Sequence, residues 1–90
     1  MKTNVIIDIG PGDPDFEIFS PIGIAFKFKQ KSVIDVLCDK ADFTGPFAEL
    51  TLALPKKFEG LVISIPLKRI IMAYSDPRGK VGFSLFKESK

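Results

Sequence analysis

The sequence predicts an all-β domain: a small antiparallel sandwich or barrel of six to eight short strands, with one short helix at 33–40 as the alternative for that stretch. Three observations carry this. Apolar residues recur with a period of two in 24–31 and 47–54; the apolar runs are short and rich in β-branched residues; and prolines and glycines punctuate the gaps between them. The organising stretch is 61–74, LVISIPLKRIIMAY, the longest apolar run. Pro66 has no N–H to give to a ladder, so the run reads as two buried strands with a corner between them. Leu61, Ile63 and Ile65 are expected in a strand, with Ile70 or Met72 buried beside them.

Taken in order, 3–9 (TNVIIDI) reads as a buried strand that ends at Gly10-Pro11-Gly12-Asp13-Pro14-Asp15, where two prolines and two glycines force a loop. Residues 16–19 read as a short strand closed by Ser20-Pro21. In 24–31, Ile24, Phe26 and Phe28 alternate with Ala25, Lys27 and Lys29, which puts the aromatics on one face and the lysines on the other. Stretch 32–40 is two-valued. Ser32 with Asp35 resembles a helix capping box, while Val33, Ile34 and Val36 favour a strand. The strand is preferred, with Ile34, Val36 and Cys38 inward.

Thr44-Gly45-Pro46 breaks the chain before 47–54, where Ala48, Leu50, Leu52 and Leu54 share one face. The short 56–60 connection suits a hairpin into 61–65. Last, Asp76-Pro77-Arg78-Gly79 is a turn by composition and predicts a hairpin between 70–75 and 80–86.

Ninety residues make a single domain, 1–90, and 46% apolar residues with nine Phe and 27% charged residues suit a soluble globular fold. The run at 61–74 is too short and too interrupted, by Pro66, Lys68 and Arg69, to span a membrane. No secretory leader pattern opens the chain, and a lone Cys38 suits a reducing compartment, so the expectation is a cytoplasmic protein. The chain has no histidine, which excludes imidazole metal sites, Ser-His-Asp nucleophiles and histidine general bases. The carboxylate pairs Asp13/Asp15 and Asp35/Asp39 lack a third ligand, so no metal and no cofactor is expected.

Charge is uneven. Within 1–20, Lys2 stands against Asp8, Asp13, Asp15 and Glu17, a balance of −3; within 56–90, eight basic residues face three acidic ones, a balance of +5. The candidate anion or partner surface is Lys27, Lys29 and Lys31 on the amphipathic strand, with Lys68, Arg69 and Arg78 near the Pro66 corner. Basic strands interleaved with aromatics occur in small barrels that bind single-stranded nucleic acid, but here Phe and Lys fall on opposite faces.

Two short strings resemble known families. Gly10-Pro11-Gly12-Asp13-Pro14 is similar to the GPGDP loop of the tetrapyrrole methyltransferases, and Asp8-Ile9-Gly10 to the first glycine loop of Rossmann-like methyltransferases. That resemblance implies an S-adenosylmethionine site at residues 10–15, in an α/β domain more than twice this length. Ser20-Pro21-Ile22-Gly23 is similar to the SxxG turn of the cyclic di-GMP-binding PilZ barrels, yet Ile18 stands where those have Asp or Asn, and no arginine precedes residue 69.

The expected function is therefore that of a non-enzymatic β interaction module, acting through a protein partner or as a homo-oligomer. The alternatives are a small nucleic-acid-binding barrel and, third, an S-adenosylmethionine-binding enzyme fragment using the 10–15 loop. The sequence names no small-molecule ligand.

Overall fold

A computed structural model describes residues 2–75. They form a six-stranded antiparallel sheet with one short helix: β1 (Thr3–Ile7), α1 (Phe16–Phe19), β2 (Ile24–Phe28), β3 (Lys31–Asp42), β4 (Phe47–Leu52), β5 (Val62–Pro66) and β6 (Ile70–Tyr74). Single 3-10 turns at Ser20–Ile22, Lys56–Phe58 and Leu67–Arg69 fill three of the connections. The strand order is β5-β4-β3-β1-β6, with β2 also paired to β3.

The twelve-residue β3 makes this order possible, because it is longer than any single partner. Along one edge its first half pairs with β2 (Phe28 opposite Lys31, Ile24 opposite Asp35) and its second half with β4 (Cys38 opposite Leu52, Asp42 opposite Glu49). Along the other edge its middle pairs with β1, from Thr3 opposite Cys38 to Ile7 opposite Ile34. A bulge between Cys38 and Lys40 bends the strand where one set of partners gives way to the next.

Residues 33–38 are all buried, so both faces of β3 are covered; the same holds for Asn4 to Ile7 of β1. This explains why 32–40 read ambiguously: a strand buried on both faces shows a continuous apolar run in place of alternation. The helix at 33–40 is thus corrected to strand. One face carries the main core, with Val5, Ile7, Ile34, Val36, Leu50 and Ile65 at its centre.

The single helix falls at Phe16–Phe19, where a strand was expected. The Asp13 and Asp15 carbonyls take the Phe16, Ile18 and Phe19 N–H groups, and the three-residue spacing of Phe16 and Phe19 turns both rings onto the core. The alternation in β2 ends earlier than expected. Lys29 and Gln30 both have positive φ (52° and 67°), the two-residue turn of a tight hairpin, although neither is a usual residue for it. Gly23 just before β2 has no room for a side chain, since a Cβ there would lie 2.6 Å from Ile34 Cγ2 and 2.7 Å from the Asp35 carbonyl oxygen.

On β4, Ala48, Leu50 and Leu52 are buried as expected, but Leu54 lies beyond the strand and is exposed. Ile63 and Ile65 are strand residues and Leu61 precedes the strand. Ile70 is half-buried against the same core as Ile63 and Ile65, but on β6, at the far end of the strand order. The expected turn at 76–79 and strand at 80–86 lie outside the described residues.

Pro66 does mark a corner, and that corner shapes the sheet. Laid flat, strands β5 to β6 would put the outermost pair roughly 19 Å apart, at about 4.8 Å per spacing. The Leu67–Arg69 turn advances only ~8 Å between them. The sheet must therefore curl until its two outer strands approach at this end.

The Lys29-Gln30 turn gives a stability prediction. Two non-glycine residues in the left-handed region each cost on the order of 1 kcal/mol. Replacing them with Asn-Gly is expected to stabilise the fold by about 1 kcal/mol, raising Tm by ~5 °C in a thermal melt. An unchanged or lowered Tm would contradict the turn geometry.

Candidate interaction site

Of the six basic residues singled out in the sequence, five are among the described residues, and Lys31 and Arg69 of these are engaged in ion pairs. Arg69 is half-buried and its guanidinium grips Asp13 in a two-point contact, Nη1 to Oδ2 at 2.6 Å and Nη2 to Oδ1 at 3.2 Å. Nη1 also donates to the Asp8 carbonyl (2.9 Å), while the Asp8 N–H donates to the Arg69 carbonyl (2.7 Å). Lys31 Nζ reaches Asp8 Oδ2 at 2.9 Å. The corner and the start of β3 thus converge on the 10–15 loop.

The remaining lysines are exposed. Lys27 points outward from β2, Lys68 sits in the corner turn, and Lys29 lies in the hairpin turn with Nζ 5.6 Å from the centre of the Phe28 ring. Arg78 lies outside the described residues. Phe26 and Phe28 are half-buried on the face opposite Lys27, as the alternation predicts, but Ile24, expected with them, is exposed.

The glycine-rich loop has a structural reason for its composition. The Asp13 N–H bonds the Gly10 carbonyl, and a Cβ on Gly10 would lie 2.9 Å from Ser32 Cβ, so the glycine allows the loop to lie against β3. The hydrogen bonds from Arg69 hold the Asp13 carboxyl below its ordinary pKa, and burial opposes them only in part.

A second polar group sits on the face of β1 and β3 away from the main core. Asp35 is buried, accepting from Asn4 Nδ2 (3.2 Å) and from the Tyr74 hydroxyl (2.9 Å). Asp35 also borders an open cleft of about 370 Å³ whose other walls include Ile22, Ile24, Leu37, Leu54 and Pro55. The sequence carried a signal for this group that its apolar periodicity hid: Asn4 and Asp35 are the polar residues inside two apolar strands. Burial, with Asp35 and Asp39 adding to it, pushes the Cys38 thiol up to about 12, so the one sulfur is a neutral core group. Among the described residues no group of three His, Cys, Asp or Glu side chains could hold a metal ion, and no helix is long and apolar enough to cross a membrane.

The outer edge of β5 is the feature the sequence could not assign, because it depends on strand order. Among the described residues nothing pairs with it. Its polarity follows from two bonds at the ends of the β4–β5 ladder: the Leu52 N–H donates to the Leu61 carbonyl (2.9 Å), and the Leu67 N–H to the Pro46 carbonyl (3.2 Å). Antiparallel ladders alternate, so the Ile63 and Ile65 backbones bond inward to β4, and Val62, Ser64 and Pro66 face outward. The outward edge offers the N–H groups of Val62 and Ser64, and Pro66 has none to offer. The strand, VISIP, carries no charge. Beside this edge Val62 (57% exposed) and Phe47 (51%) present apolar side chains to solvent.

Comparison of the chain with protein-family models, with curated proteins and with solved structures finds no match.

The Asp13–Arg69 contact makes a pH prediction with a definite sign. Because the folded pKa of Asp13 lies below its unfolded value, the contact contributes fully above the ordinary carboxylate range and is lost as pH falls through the lowered folded value. Melting curves of wild type and Asp13→Asn between neutral pH and pH ~2 should show a Tm gap that closes toward acid. A gap independent of pH would mean that the ion pair contributes nothing.

Proposed function

We propose that this protein is a non-enzymatic β interaction module that binds by adding a strand from a partner along the outer edge of β5. The observation that carries the reading is the chemistry of that edge. Edge strands commonly guard themselves with charges, bulges or coverage. Here, among the described residues, the only guard is Pro66 at one end, and the rest offers two outward N–H groups beside exposed apolar side chains. Such an edge binds extended chains through main-chain hydrogen bonds, with specificity from alternate side chains.

The basic residues support a nucleic-acid surface less well. Lys31 and Arg69 are engaged with Asp8 and Asp13, and the half-buried Phe26 and Phe28 face away from Lys27. A cofactor role for the 10–15 loop has equally little support, since Asp13 and the Asp8 carbonyl already receive Arg69. A reducing, cytoplasmic setting fits the one cysteine, which is buried and free.

The test is selection from a library of short random peptides on immobilised protein. Selected peptides should be extended and alternately apolar, and their binding should fall at least ~10-fold in Ser64→Pro and Val62→Lys, which remove an outward N–H and add a charge. Neither change touches an inward ladder bond, so Tm should move little. No binders, or binders indifferent to both changes, would overturn the reading.

A further inference from the structure

The β5 edge also specifies a partner, and this inference rests on the reading above. We propose that the strand added to β5 is β5 of a second copy, antiparallel, with the two-fold axis at Ser64. An isologous pair must satisfy itself, so the register can be worked out from the outward groups alone.

With the axis at Ser64, the two Ser64 residues exchange a reciprocal pair of N–H···O bonds, and each Val62 N–H meets the Pro66 carbonyl of the other copy. Every outward donor of the strand is then used, and the donor that Pro66 lacks falls on the last rung, where its loss costs least. An axis at Ile63 would also use both donors but sets Val62 opposite Ser64, so apolar coverage decides.

Apolar exposure favours the Ser64 axis. The Ser64 axis places Leu61 opposite Leu67 of the second copy, both exposed in the single chain. It also places Val62 opposite Pro66 of the second copy, whose own β4 neighbour is Phe47. A row of Phe47, Pro66 and the second copy's Val62 therefore crosses the new junction on one face, covering two of the most exposed apolar side chains among the described residues.

The test combines mass and distance. Sedimentation of the wild-type protein at concentrations up to on the order of 100 μM should show the dimer, and Ser64→Lys, which sets two ammonium groups at the axis, should return it to the single-chain mass without lowering Tm. A nitroxide on Ser64→Cys labels one site, because Cys38 is buried with its thiol protonated. The two labels should lie within about 20 Å of each other, since paired residues at the axis have Cβ atoms only ~5.5 Å apart. A single-chain mass throughout, or a dimer whose labels are farther apart, overturns the proposal. A single-chain protein that still binds peptides at β5 would leave the interaction-module reading standing and remove only the self-pairing.

Discussion

The structure depends on a three-residue connection. Leu67–Arg69 joins the strands at the two ends of the order β5-β4-β3-β1-β6, and no flat sheet of this width can be bridged by so short a turn. Curling is therefore a requirement of chain length. The bulge in β3 supplies part of the bend, and the central strands, buried on both faces, show how completely the middle of the sheet is enclosed. Arg69 then fixes the corner. Its backbone bonds Asp8 at the end of β1, and its guanidinium holds the loop that follows, so one residue joins β6, β1 and the 10–15 loop.

Pro66 serves two purposes in this arrangement. It ends β5 where the chain must turn, and it stands at an outward position of the edge, where any other residue would present a third N–H. The edge, unpaired among the described residues, is thereby limited to two donors, at Val62 and Ser64, at its uncharged centre. A short edge of this kind offers little area to a general binder but a definite rung pattern to a strand of the right register. The proposed function follows from that limit as much as from the exposed side chains.

Much of the local structure was legible in the sequence because local patterning controls it. Alternation identified β2 and β4, and the missing N–H of Pro66 located the corner. Where two influences compete, local pattern does not decide the element: Val33 to Cys38 lost its alternation through burial on both faces, and Phe16 to Phe19 exchanged a strand for a helical turn because the loop before it supplied carbonyl partners. The Lys29-Gln30 turn gave no sign, since neither residue favours positive φ. Long-range features could not be read at all. Arg69 and Asp13 stand far apart in the chain, and nothing local announces that they meet. That β5 is an edge follows from strand order, a property of the whole sheet.

The most direct test of the account is residue-resolved amide hydrogen exchange across β5, measured as a function of protein concentration. Inward and outward N–H groups alternate along this strand, so the account predicts slow exchange at Ile63, Ile65 and Leu67 at every concentration. Val62 and Ser64 should exchange rapidly in dilute solution and become protected as concentration rises. Protection of Val62 and Ser64 already at the lowest concentration would show that the edge is not free in the single chain, and rapid exchange at the highest would show that no strand is added there; either result would contradict the account.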